Sequence, residues 1–223
     1  MPTNNPGYAW GSNAFGQLGD NSRTARSSPV LITGAHSFTQ VAAAVNTSVG
    51  LKSDGSAWCW GSAVSGALGD QTITSKSSPV LVVGAHSFVA VAIGGENSGS
   101  GASVLGLKAD GSVWGWGNNA AGQLGDQTVT AKSSPVLVVG AHSFVDVQVT
   151  LATSGGGVAS VVARKADGSA WCWGSGATGR LGDNTATAKS SPVLVVGAHS
   201  FLEVQAGVDS AYGRKADGSV WGW

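Results

Sequence analysis

An all-β fold of repeated four-stranded sheets is predicted by three features. A long segment returns unchanged, a tight-turn signal separates short apolar runs in every copy, and tryptophans stand two residues apart. Ser-Ser-Pro-Val-Leu-Val-Val-Gly-Ala-His-Ser-Phe occurs identically at Ser77–Phe88, Ser133–Phe144 and Ser190–Phe201, with a near copy at Ser27–Phe38. Pro29, Pro79, Pro135 and Pro192 follow one another at spacings of 50, 56 and 57 residues. A period of that length signals tandem structural units.

Each unit reads as four strands. In the second unit the first is Val80–Val83, opened by a proline, which a strand start tolerates. The others are Phe88–Ile93 after a Gly-Ala-His-Ser turn, Val104–Lys108, and Ser112–Trp116. Asp110-Gly111 joins the last two as a hairpin, because both residues tolerate positive φ. The same turn recurs at Asp54-Gly55, Asp167-Gly168 and Asp217-Gly218, and no segment sustains a helical period. Residues 1–7 read as an N-terminal tail and 8–223 as a single repeat domain. Its units span about 12–61, 62–117, 118–174 and 175–223, with 8–11 as a leading strand.

The fourth strand predicts how units meet. Trp58 and Trp60 share one face while Ala57 and Cys59 point the other way, and Trp114/Trp116, Trp171/Trp173 and Trp221/Trp223 repeat the pattern. A bulky face on one sheet then fills the shallow back of the next at interior density. Sheets buried on both sides and fanned about an axis make a β-propeller, and four such units read as part of a larger ring. The rival, an open β-solenoid, has shorter coils than this period. Cys59 and Cys172 alternate with Gly115 and Gly222, which reads as a tight packing slot rather than a disulfide or zinc site.

The stretch Trp114-Gly115-Trp116-Gly117-Asn118-Asn119-Ala120-Ala121-Gly122-Gln123-Leu124-Gly125-Asp126, with the Leu-Lys-Ala-Asp-Gly-Ser-Val-Trp run before it, resembles the regulator of chromosome condensation repeat family. The resemblance runs from Tyr8 to Trp223. It implies a propeller, commonly seven-bladed. It also implies a family whose members include a nucleotide-exchange factor for a small GTPase, inhibitors of secreted enzymes, and adaptor or surface proteins. Fold alone does not choose among these.

Composition narrows the choice. Twelve basic residues balance twelve acidic ones, so no electrostatic grip on nucleic acid or anionic membrane is expected. No apolar run reaches the ~20 residues of a membrane helix, and the start lacks a signal-peptide pattern. Cytosolic residence is the default expectation, although an exported or virion-borne chain would look the same. Gly-rich loops such as Gly66-Ala67-Leu68-Gly69 lack the helix and lysine of a phosphate cradle and read as turns linking blades. His36, His86, His142 and His199 sit in equivalent turns and read as structural. Asp20, Asp70, Asp126 and Asp183 follow Leu-Gly in each loop. Asp146 and Glu203 hold equivalent strand positions and read as surface polar groups. Two basic sets, Arg26/Lys76/Lys132/Lys189 and Lys52/Lys108/Lys165/Lys215, read as a solvated, salt-laced rim. No nucleophile motif, metal ligand set or cofactor is expected, and the chain reads as non-enzymatic.

Variable loops on a constant scaffold are the expected binding surface. The connections between the second and third strands differ most among units. The candidate partner-binding residues there are Asn46, Thr47, Glu96, Asn97, Ser98, Thr153, Ser154, Asp209 and Ser210. The leading reading is a protein-binding scaffold. The alternatives are a glycan-binding adhesion module and an exchange-factor-like regulator. A fourth strand both opens and closes the chain, leaving one strand surplus to a closed ring. That predicts either a piece of a longer propeller or self-association that completes the ring.

Overall fold

The computed structural model describes residues 7–44, 46–96, 101–151 and 159–223. Five antiparallel sheets follow one another along the chain. The first pairs β1 (Tyr8–Gly11) with β2 (Arg26–Leu31). The second contains β3 (Phe38–Ala44), β4 (Thr47–Lys52), β5 (Ala57–Gly61) and β6 (Lys76–Leu81). The third contains β7 (Ala90–Glu96), β8 (Gly101–Leu107), β9 (Val113–Gly117) and β10 (Lys132–Leu137). The fourth contains β11 (Phe144–Val149), β12 (Ser160–Lys165), β13 (Ala170–Gly174) and β14 (Lys189–Leu194). The fifth contains β15 (Glu203–Ala206), β16 (Ala211–Arg214) and β17 (Val220–Gly222). Short 3-10 turns at Val64–Gly66 and Ala177–Gly179 are the helical elements among the described residues.

The sheets are offset by one strand from the units read in the sequence. Each Ser-Ser-Pro-Val-Leu strand pairs with the tryptophan strand before it, as in Trp58↔Leu81, Cys59↔Val80 and Gly61↔Lys76. A sheet therefore straddles two sequence units. The Gly-rich loop, expected to link blades, instead joins two strands of one sheet, and the Gly-Ala-His-Ser turn makes the link. Proline explains the arrangement. It donates no hydrogen bond, so its strand belongs on a sheet edge, and Pro79 falls where the register slips between Cys59 and Gly61. The slip also lets the strand start at Lys76, ahead of the expected Val80.

The innermost strands are β3, β7, β11 and β15; β3 touches β7, β7 touches β11, and β11 touches β15. Gln40 ties two of them together: its Nε2 donates to Val91 O at 2.8 Å and its Oε1 accepts from Val91 N at 3.0 Å. The proline strands lie outermost.

Between sheets the bulky and shallow faces interlock as the tryptophan spacing predicts. Ala57, Cys59, Leu68 and Val82 of the second sheet and its loop pack against Phe88, Val91, Val104 and Trp116 of the third. Leu105, Val113 and Val138 meet Phe144, Val147 and Trp173 at the next seam. Val162, Ala170, Cys172 and Leu181 meet Phe201, Val204 and Trp223 at the last.

The cysteine–glycine alternation follows from a cross-strand volume balance. Val49 faces Cys59 and Val162 faces Cys172, whereas Leu105 faces Gly115 and Tyr212 faces Gly222. A larger residue on one strand demands glycine opposite. A Cβ on Gly115 would stand 2.9 Å from Leu105 Cδ2. Burial pushes the Cys172 thiol up to about 12 and raises that of Cys59 still further, so both stay protonated.

Candidate partner-binding face

Antiparallel alternation brings two kinds of loop to one end of the sheets. One kind joins the two innermost strands of a sheet and carries the predicted residues. The other is the long loop between the tryptophan and proline strands, at 12–25, 62–75, 118–131 and 175–188.

The long loops are braced from within. Asn119 Nδ2 donates to Asp126 Oδ1 at 3.0 Å and to the Thr128 and Thr130 carbonyls at 3.1 Å, while its Oδ1 accepts from Leu124 N at 2.9 Å. Asn13 makes the same set with Asp20, Ser22, Thr24 and Leu18. Lys132 Nζ stands 3.3 Å from Asp126, Lys189 Nζ 3.3 Å from Asp183, and Arg26 Nη2 2.9 Å from Asp20. Burial alone would raise these three carboxyls. Bonds from Ser22, Arg26 and Asn13 outweigh it at Asp20, from Thr128, Asn119 and Lys132 at Asp126, and from Thr185 and Lys189 at Asp183. All three are held below the usual carboxylate value. They frame the loops as carboxylates.

Each long loop leans on the following sheet. Trp60 Nε1 donates to Gln17 O at 2.9 Å and Trp173 Nε1 to Gln123 O at 3.0 Å. The same loop position also reaches the predicted loops. Gln17 Nε2 donates to Asn46 Oδ1 at 3.2 Å, and Arg180 Nη2 stands 3.0 Å from Asp209 Oδ1. Arg180 is buried, with its Nε donating to Ala177 O, whereas Asp209 is 57% exposed.

Of the predicted residues, Asn46 is half-buried and Thr47 is buried, its hydroxyl donating to Ser62 O at 2.9 Å. Glu96 ends β7 opposite Gly101. Asp209 pairs with Arg180, and Ser210 O accepts from Gly207 N at 2.8 Å. Asn97, Ser98, Thr153 and Ser154 lie outside the described residues. Gln17 and Arg180 escaped the sequence reading. Their signal was the one position that varies (Gln17, Ala67, Gln123, Arg180) inside an otherwise constant Gly-x-Leu-Gly-Asp. The long loops also expose Phe15, Val64, Ile73 and Val129, with Ile73 at 78%.

The opposite end is regular. The rings of His36, His86, His142 and His199 lie 4.4 Å from Trp58, Trp114, Trp171 and Trp221. Lys52, Lys108, Lys165 and Lys215 sit over the same indoles at 4.4–4.8 Å. This second basic set was expected to be laced to aspartates, but it stacks on aromatic faces, a contact that needs no counter-ion. Burial, then the neighbouring lysine, lowers the imidazoles of His36, His86 and His142 from their ordinary 6.5. Asp146 and Glu203 face Arg164 and Arg214 across their strand pairs. Burial raises the Asp146 carboxyl, with Arg164 opposing. Among the described residues no three His, Cys, Asp or Glu side chains gather to hold a metal ion. No described helix is long and apolar enough to cross a membrane.

Comparison with curated protein sequences finds no match. Solved structures do match. Human WBSCR16 superposes with a TM-score of 0.78 at 20% identity, covering 97% of this chain and 56% of that one. Prp20p of Saccharomyces cerevisiae gives 0.75 at 18% identity, over 97% and 52%. Yeast RCC1 (Prp20) in its Kap60-bound crystal gives 0.74 at 16% identity, over 97% and 51%. The chain thus spans about half the length of these proteins, and they share its β-propeller architecture. The model of the regulator of chromosome condensation (RCC1) repeat matches residues 8–51, 54–99, 110–161 and 167–212, and the chain belongs to that repeat family.

Proposed function

We propose that the chain is a non-catalytic protein-binding module whose partner docks on the end carrying the long and variable loops. One observation carries this reading: apolar side chains are displayed there on braced loops, with Phe15 and Val129 exposed on loops framed by asparagine–aspartate bonds and Val64 and Ile73 on the loop where Thr72 bonds Asp70. Exposed apolar groups on a preorganised surface suit protein recognition, since little ordering cost is left for binding. The test compares partners of the wild type with those of an I73K/V129K variant and of K108E, altered at the opposite end. Loss with the first variant alone is expected. Loss with K108E alone would overturn the reading, and saturable signal on a glycan array without a protein partner would favour adhesion.

A second reading has support from the comparisons. Prp20p has been described with binding properties to Gsp1p and histones, and yeast RCC1 has been crystallised bound to Kap60. That likeness supports reading the chain as an exchange-factor-like regulator of a small GTPase. A nucleotide-release assay tests it, and an unchanged release rate at saturating chain concentration would dismiss it.

A further inference from the structure

Two seams that share one design differ at their innermost strands. In the second sheet, Gln40 clamps the backbone of Val91 in the third through both its amide oxygen and its amide nitrogen. Its equivalents along the chain are Ala90, Asp146 and Glu203, each standing before a valine near the start of an innermost strand. The residue across the strand pair changes in step. Gln40 faces Leu51 and Ala90 faces Leu107, whereas Asp146 faces Arg164 and Glu203 faces Arg214. An acid–arginine pair has thus taken the place of an apolar cross-strand partner in the fourth and fifth sheets.

These two pairs are not alike. Glu203 Oε2 accepts from Arg214 Nε and Nη2, each at 3.2 Å. Among the described residues Arg164 gives Asp146 no such bond: its Nη1 donates to Lys165 O at 3.4 Å, and its buried Nε has no partner. Asp146 is half-buried. From β12 it meets Arg164, with Lys165 beyond it stacked on Trp171, and from β15 it meets the like charge of Glu203. β8 brings no titratable group, and β7 carries only Glu96, at its far end. Burial raises the Asp146 carboxyl and Glu203 adds to the rise, against Arg164 and the Val147 N–H. The bond joining these innermost strands is also longer. Ala206 N donates to Gln148 Oε1 at 3.5 Å, against 2.8 and 3.0 Å at Gln40.

We propose that the seam between the fourth and fifth sheets is a joint that acid tightens, with Asp146 as its switch. A carboxylate accepts hydrogen bonds only, whereas a protonated carboxyl donates and accepts as the Gln40 amide does. Ionised, Asp146 stands half-buried beside Glu203 with nothing to donate to the fifth sheet, and the seam opens more often. Protonated, it sheds the like-charge contact and regains the donor that the clamp position needs. The sign follows from linkage. A carboxyl raised on folding adds stability below its unfolded value, and that stability is lost as pH rises through the folded value. Arg180 of the fourth sheet's long loop pairs with Asp209 of the fifth sheet at the other end of this seam, so the joint also governs how those two loops are spaced. It stands whether or not the loop end binds a protein.

The two cysteines read the two seams within one molecule. Cys59 is sealed where Gln40 clamps, and Cys172 is sealed where Asp146 stands. Both are labelled with a dithiodipyridine, which reacts in mild acid, and peptide mass spectrometry gives the ratio of the Cys172 rate to the Cys59 rate. The ratio is followed from neutral pH down to the carboxylate range in the wild type, D146N and D146Q. It cancels the pH dependence of thiol chemistry, and comparison among the chains cancels that of the histidines they share. In the wild type the ratio should fall on acidification. Asp146→Asn, the neutral isostere, should keep it low and flat. Asp146→Gln, which recreates the Gln40 clamp, should slow Cys172 about tenfold at neutral pH, with circular dichroism unchanged in both variants. The same pH slope in wild type and D146N, or a Cys172 rate that D146Q leaves unchanged, would overturn the proposal. So would a ratio that stays high at every pH in all three chains, which would mark fraying of the last sheet.

Discussion

Trp116 and Trp10 hold the same position in their tryptophan strands, and their surroundings could hardly differ more. Trp116 is 0% exposed between the second and third sheets, while Trp10 is 64% exposed on the first. Trp116 is backed by Gly69, Val82 and the Ala57–Cys59 face of the preceding sheet. Trp10 stands on the first sheet with no sheet before it among the described residues. Equivalent Trp-Gly positions thus give equivalent strands, but the stabilising burial belongs to the seam. That is the arithmetic of repeat architectures, where nearest-neighbour interfaces supply the stability that single units lack.

Four experiments sharpen or break this contrast. The largest effect is expected in thiol labelling. Cys59 and Cys172 are fully sealed at two seams, so in the native protein they should react about a thousandfold or more slowly than in urea. Labelling at the unfolded rate would mean that the seams are open. Next, Trp116→Ala should cost about 3–5 kcal/mol in urea unfolding, whereas Trp10→Ala should change stability by no more than about 0.5 kcal/mol. Equal effects would erase the distinction between seam and free face.

Third, Gly115→Cys should destabilise by about 1–3 kcal/mol through overpacking against Leu105. Adding Leu105→Val should restore most of the loss by recreating the Val–Cys pair of the neighbouring sheets. A double variant no better than the single one would refute the volume balance.

The smallest effect concerns pH. His36, His86 and His142 titrate below 6.5 in the folded state. Their contribution is therefore present above the unfolded value and lost as pH falls through the folded value. The urea midpoint should decline between neutral and mildly acidic pH, and His86→Gln should flatten that decline. An unchanged slope would remove the histidines from the account.

What the sequence could disclose follows the same division. The two-residue spacing of the tryptophans and the Asp-Gly turns are short-range signals, and strands, hairpins and interlocking faces were legible from them. The assignment of each proline strand to its sheet was not. Pairing across the loop at 62–75 is long-range, and Pro79 reads as a strand opener unless the register slip that accommodates it is known. Likewise Asn46 and Asp209 stood out as loop residues. Their partners Gln17 and Arg180 lie about thirty residues earlier in the chain, in loops that look like repeat scaffold until a neighbouring sheet brings them alongside. Thr47 shows the reverse: read as a residue of a variable loop, it opens β4, and its hydroxyl serves the backbone of Ser62.

Fluorine NMR of the chain labelled with 5-fluorotryptophan, assigned by single Trp→Phe variants, tests the interlocking faces most directly. The account predicts no solvent-isotope shift at Trp116 and Trp173 and a full shift at Trp10. Equal shifts at all three positions would contradict it.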